Sequence, residues 1–181
     1  MKISKDLFFT GINQFWKIIS GPVVLIFIPL FLTPETQGYW FTFISISALS
    51  IFADLGFTNI VLQFSAHEFA YLNFDENFVA SGSDIHLKRL SSFFKFTIKW
   101  ALIMAVIAFP FILMTGCVIF SRKNDSVSWL LPWIFYVTGS GINFFNNTLL
   151  AFFEGCNQVA RVQRIRFEIA LVNTFIMLSM L

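Results

Sequence analysis

The chain has 181 residues, a formal net charge of +2, 57% hydrophobic and only 12% charged residues, and a mean hydropathy of +0.76. So few charges leave too little polar surface for a soluble helical domain, and no basic patch interleaved with aromatics is present to engage nucleic acid. What remains is the all-α class of polytopic membrane bundles, in which about 20 apolar residues cross the hydrocarbon core as one helix.

The first apolar segment covers about residues 8–32 and follows Lys2 and Lys5. It has the outline of a signal peptide, but it runs on to Leu32 without a small-residue cleavage site and so reads as a retained first span. Pro22 and Pro29 lie inside it and are expected to kink the helix and free backbone carbonyls. The short polar link Thr33-Pro34-Glu35-Thr36-Gln37-Gly38 predicts an antiparallel hairpin into the second span, about 39–65.

That second span places Asp54 and Gly56 where a membrane helix is deep. A carboxylate there costs roughly 2.5 to 3.5 kcal/mol on insertion scales and needs a partner or a task. A polar segment follows from Ala66 to Leu90, and Lys88 to Lys99 reads as a surface helix anchored by Phe93, Phe94 and Trp100. The third span covers about 97–120 with Pro110 in its middle, and Ser121 to Ser126 forms a second short link. The fourth covers about 128–153 and holds Pro132, Gly139, Gly141 and an asparagine cluster. Glu154 to Arg164 reads as a compact polar loop, and a fifth span starts at about 167.

The sequence stops at Leu181 inside that apolar run, without a polar tail. The expectation is therefore four complete spans plus a truncated fifth, the N-terminal part of a longer polytopic protein. Lys and Arg collect on one side: Lys2, Lys5, Lys88, Arg89, Lys95, Lys99, Arg161, Arg164 and Arg166, against Arg122 and Lys123 on the other. This bias predicts a cytoplasmic N-terminus, with the links at 33–38 and 121–127 outside. Cys117 and Cys156 then fall on opposite sides and should not pair.

Three short stretches carry a family resemblance. They are Leu32-Thr-Pro-Glu-Thr-Gln-Gly-Tyr39-Trp40, Leu49-Ser-Ile-Phe-Ala-Asp-Leu-Gly-Phe57 and Phe153-Glu-Gly-Cys-Asn-Gln-Val-Ala-Arg161. Their order and topology resemble the N-terminal portion of the Wzx-type O-antigen flippases, within the multidrug/oligosaccharidyl-lipid/polysaccharide exporter superfamily. The resemblance implies about a dozen helices in two six-helix bundles, of which this chain supplies part of the first. It further implies a bacterial inner-membrane protein that moves an undecaprenyl-diphosphate-linked oligosaccharide to the periplasmic leaflet by alternating access. Its implied partners are the lipid-linked oligosaccharide, membrane lipids, a polysaccharide polymerase and a chain-length regulator, with no cofactor.

Depth alone makes a further argument. Lys17 lies about 15 residues below Leu32, Asp54 about 15 below Tyr39, and Asn143 about 15 below Ser128, each roughly 22 Å down its helix. The expected substrate or ion pathway is thus Lys17, Asp54 and Asn143, with Gln14 and Asn147 nearby. Asn143 and Asn147 share a face at i,i+4. Two readings stand side by side: a functional cavity in which Lys17 and Asp54 pair or meet substrate, or a snorkelling lysine and an aspartate serving as helix glue. Gly56, and Gly139 with Gly141, admit either broken helices lining a site or close helix packing. Lys88, Arg89, Arg161 and Arg164 form an inner girdle suited to anionic lipid.

Enzymatic signals are weak. His67-Glu68-Phe69-Ala70-Tyr71 opens like a zinc-binding H-E-x-x-H helix but lacks the second histidine. Asp75, Glu76, Asp84 and His86 bring no phosphate loop, so an exposed amphipathic loop is expected there and no metal or catalytic residue. The alternatives to a flippase are a drug or metabolite exporter of the same superfamily, a membrane-embedded glycosyl- or acyltransferase, or a non-transporting membrane subunit.

Overall fold

The computed structural model describes residues 2–75, 79–122 and 127–180, with side chains for 5–75, 79–122 and 127–177. In chain order they form α1 (Lys2–Phe31), α2 (Pro34–Ser47), α3 (Ser50–Asp54), α4 (Phe57–Phe69), β1 (Leu72–Phe74), β2 (Ala80–Gly82), α5 (Asp84–Phe120), α6 (Leu130–Gly155) and α7 (Val159–Met180). The expectations for Glu76, Lys123 and Asp125 lie outside the described residues. The chain divides into two compact units, Met1–Phe41 with Gln158–Leu181, and Thr42–Asn157.

In the first unit α1 stays helical through Pro22 and Pro29. The expected link after it contracts, because its residues are good at starting a helix. Thr33 Oγ1 accepts the Thr36 backbone N–H at 3.4 Å, and Pro34 takes the first helical position, where no N–H is needed. Gln37 Nε2 donates to the Leu32 carbonyl at 2.9 Å, so Pro34 to Gly38 belong to α2 rather than to a loop. The same effect appears at α7. Asp6 Oδ1 accepts the Ala160 N–H at 2.9 Å and caps α7 from α1. Further along, buried Asn13 donates to Gln163 Oε1 at 2.8 Å, and Trp16 meets Phe167 edge-on at 6.3 Å. The partners ascend together in number, so α1 and α7 run parallel.

The second unit is built from α4, α5 and α6. Phe57 stacks on Trp100 at 3.8 Å and Phe64 meets Phe93 at 4.2 Å, which sets α4 antiparallel to α5. Phe94 with Phe152, Trp100 with Phe144 and Phe120 with Trp129 set α5 antiparallel to α6. At one end Val61, Phe69, Leu72, Leu90, Ala151, Phe152 and Cys156 form a buried cluster. At the other, Phe43, Phe120 and Trp133 pack as an aromatic knot, and Trp133 Nε1 donates to the Leu113 carbonyl at 3.0 Å. In lipid the apolar effect between helices is absent, so this dispersion contact and the buried hydrogen bond do the holding.

Three expectations change. The surface helix at Lys88 to Lys99 is the first part of one 37-residue α5, about 55 Å long. Its amphipathic face packs on α4 and α6, through Leu90, Phe93 and Phe94, instead of on a lipid surface. The segment after residue 66 is not a plain loop: α4 continues to Phe69, and β1 pairs antiparallel with β2, Leu72 opposite Gly82. Gly82 is required there, since a Cβ would lie 2.8 Å from the Tyr71 carbonyl oxygen at φ +143°. The loop expected at Glu154 to Arg164 is mostly helix, with Glu154 in α6 and Arg161 and Arg164 in α7. Asn157, in the left-handed region at φ 58°, makes the short turn between them.

The expected number of spans is met in part. Among the described residues two helices are long and apolar enough to cross a membrane, Lys5–Phe31 and Asp84–Phe120. A third counts if Pro34–Asp54 and Phe57–Phe69 act as one bent span. The expected fourth and fifth fall short because α6 carries Ser140, Asn143, Asn146 and Asn147, and α7 carries Arg161, Arg164, Arg166 and Glu168.

Candidate functional site

The expected second span is broken at its acidic centre. α3 ends at Asp54, Leu55 and Gly56 take left-handed conformations at φ 46° and 77°, and α4 starts at Phe57. The arms meet at a bend of 43°. Glycine adopts this geometry freely, whereas leucine pays about 1–2 kcal/mol in steric strain. Asp54 Oδ1 accepts the backbone N–H of Thr58 at 3.2 Å and also the Thr58 hydroxyl. It thereby satisfies one open donor of the first turn of α4 and sets a negative charge at that helix's positive end. Of the two readings of Gly56, the break is the one observed. Gly139 and Gly141 stay within a continuous α6, where Gly141 lies against the Phe109 ring.

The bend opens a groove of about 580 Å³ in the second unit. One wall comes from α2, α3 and α4, with Ser47, Ser50, Asp54, Thr58 and Asn59; the other comes from α6, with Tyr136, Ser140, Asn143, Phe144 and Asn147. Each wall presents a polar stripe along a helix face. Ser47, Ser50, Asp54 and Thr58 recur at i, i+3, i+7 and i+11, and Tyr136, Ser140, Asn143 and Asn147 at i, i+4, i+7 and i+11. Eleven residues of continuous helix make the α6 stripe about 16 Å long, while the facing stripe follows the bent wall. The Ser140 hydroxyl donates back to the Tyr136 carbonyl at 2.8 Å, while Asn143 and Asn147 present exposed amides. The groove therefore offers several neutral donors and acceptors, two aromatic rings and one carboxylate. Such a surface is expensive against hydrocarbon and is tolerated where it lines a wet or occupied cavity.

Three expected pathway residues, Asp54, Asn143 and Asn147, meet in this groove. Gln14 and Lys17 sit exposed on α1 in the first unit. Sequence reasoning missed Ser47, Ser50, Thr58, Asn59 and Tyr136, of which Tyr136 alone follows a spacing legible along a continuous helix, α6. Of the expected girdle, Lys88 is exposed, Arg89 Nη1 lies 3.9 Å from Glu68 Oε1, and Arg164 Nε pairs with Glu168 at 2.8 Å. Arg161 is exposed on α7.

The acidic and histidine residues near residue 68 are not all on an exposed loop. Glu68 is 3% exposed, its Oε2 meets His86 Nδ1 at 2.7 Å, and Tyr71 stacks on the His86 ring at 4.0 Å. Among the described residues no group of three or more His, Cys, Asp or Glu could hold a metal ion. Cys156, just beyond α6, is buried, and burial pushes its thiol from 9.0 up to about 12. The thiolate is disfavoured in the folded state, so reactivity should rise with pH only on approaching 12. In a Cys117→Ser background, maleimide labelling at pH 8 is expected to be about a thousandfold slower than for an ordinary thiol and to normalise on denaturation. Rapid labelling of the folded protein at pH 8 would contradict the burial.

Comparison of the chain with protein-family models, with curated proteins and with solved structures found no match.

Proposed function

We propose that the chain forms one wall system of a membrane translocator for a lipid-linked saccharide. On this reading the substrate is an undecaprenyl-diphosphate-linked oligosaccharide, carried from the cytoplasmic to the periplasmic leaflet of a bacterial inner membrane by alternating access. The polar α6 acts as a further span because its polar face lines the groove, and α7 acts as the next, with its Gln163 bonded to Asn13 of α1. The supporting observation is the groove itself: amides and hydroxyls on two facing stripes, beside Tyr136 and Phe144, suit a ligand rich in hydroxyl groups. Hydrogen bonds from such groups give orientation without demanding a net charge.

A second reading rests on one specific feature. Among the described residues Asp54 is the single charged one lining the groove, with no Lys or Arg in its walls. A small organic cation carried by an exporter would suit that balance.

Reconstitution into proteoliposomes containing a fluorescent lipid-linked oligosaccharide separates the two. Protein-dependent flipping is expected, and Asn143→Leu should slow it about tenfold, the worth of one or two hydrogen bonds to a ligand. If flipping matches protein-free vesicles, or Asn143→Leu leaves it unchanged, the saccharide reading fails. Binding of a fluorescent organic cation that Asp54→Asn abolishes would favour the exporter.

A further inference from the structure

The break at Leu55 and Gly56 also has a mechanical consequence. We propose that these two residues are the hinge that sets the width of the polar groove, and that the Asp54–Thr58 bonds are the staple that holds it bent.

Three observations converge. The strain at the break is not offset by packing of the strained residue, because Leu55 is 76% exposed at φ 46°. What spans the break is local: Asp54 on one arm accepts both the N–H and the hydroxyl of Thr58 on the other. Next, the downstream arm is fixed. Ser65 of α4 lies against Gly155 of α6, and Glu68 at its far end pairs with His86 of α5. The upstream arm is the five residues of α3, which rest on α5 and bury Ala53, preceded by an irregular turn at Ala48 and Leu49. The wall is thus interrupted at two places, Ala48–Leu49 and Leu55–Gly56, and it is there that it can bend.

Finally, the groove wall is carried by both arms, Ser50 and Asp54 before the break and Thr58 and Asn59 after it. The arm from Leu49 to Leu55 is about 9 Å long, so losing the 43° bend moves its far end by about 6 Å. That displacement changes the separation between Ser50 and the facing stripe of α6. A donor from an occupant of the groove that competes for the Asp54 carboxylate would weaken the staple in the same way as removing Thr58 does.

Spin labels at Leu49→Cys and Phe135→Cys, both exposed and in the same unit, read the arm against α6 in a Cys117→Ser background. The parent should give one narrow distance distribution. Asp54→Ala should shift or broaden it by on the order of 6 Å. Thr58→Val, which keeps size and backbone N–H but removes the hydroxyl, should do so in part. Leu55→Asn, which tolerates the left-handed region, should narrow it. Circular dichroism reports whether each variant keeps its helices, and Thr58→Val decides the matter if Asp54→Ala unfolds. Parent-like distributions in both Asp54→Ala and Thr58→Val would overturn the hinge. No saccharide enters this measurement, so its outcome is independent of the translocation assay.

Discussion

Gly155→Ala is expected to destabilise the protein by about 3 kcal/mol, the upper range for overpacking, because the atoms in its way belong to a backbone. A Cβ at Gly155 would sit 2.5 Å from the Leu62 carbonyl oxygen and 3.0 Å from the Ala66 nitrogen, and would collide with Ser65 Oγ. Ser65 cannot turn away at no cost, since its hydroxyl donates to the Val61 carbonyl at 2.6 Å inside a fully buried site. Relief therefore requires α4 and α6 to separate, which would open the neighbouring Val61, Ala151 and Phe152 cluster. Gly139→Ala supplies the control: nothing lies within 4 Å of its Cβ, so only the helix preference for alanine, up to about 1 kcal/mol in its favour, should register. Unfolding by sodium dodecyl sulfate in mixed micelles measures both. Equal midpoints for Gly155→Ala and the parent would mean that α4 and α6 do not cross this closely.

These glycines show what the sequence made legible and what it did not. Composition and run length settled the helical, membrane-compatible class, because they depend on averages over many residues. The positions of breaks depend on single residues, and there the outcome was mixed. Pro22, Pro29 and Pro110 are the strongest helix breakers in the chain, yet each sits inside an uninterrupted helix. The actual break falls at Leu55 and Gly56, where a leucine adopts a conformation that its propensity disfavours. A local aspartate makes that possible, and in the apolar run around it only the two-sided reading of Gly56 pointed to a break.

For the candidate site, the cost of a carboxylate within an apolar run pointed to Asp54, which lines the groove. The sequence argument looked for a charge to balance a charge and chose Lys17. The bonds that the structure gives Asp54 are to Thr58, four residues on, at the start of the next helix, while Lys17 belongs to the other unit. A helix terminus can stabilise a carboxylate without a cation, but only once the helix is known to end there. Asn143 and Asn147 were legible because their i,i+4 spacing survives in a continuous α6. Ser47, Ser50 and Thr58 were harder to read, since their stripe runs across two interruptions and an unbroken-helix assumption does not license it.

The Glu68–His86 pair sets the other large effect, and it bears on where movement can occur. His86→Ala should cost about 2 to 3 kcal/mol, the range for leaving a buried hydrogen-bonding group without its partner, because Arg89 still lies 3.9 Å from the Glu68 side chain that remains. Glu68→Gln should cost less, since an amide oxygen can still meet the imidazole. The double variant Glu68→Leu with His86→Leu is expected to lose less than the sum of its two single variants, because no polar group is then left buried without a partner. If the losses of Glu68→Leu and His86→Leu made singly simply add in the double variant, the residues do not interact as their 2.7 Å separation implies. The pair joins the end of α4 to the first turn of α5 across the β1–β2 hairpin, and Tyr71 covers it. With that end tied and Gly155 locking the middle of the seam, the end of α4 next to the break rests on α5 through the Phe57–Trp100 stack, and it is the end that lines the groove. Loosening the Glu68–His86 tie should therefore broaden the Leu49–Phe135 distances less than Asp54→Ala does, even though it costs more stability, since it releases the end of α4 that lies away from the groove.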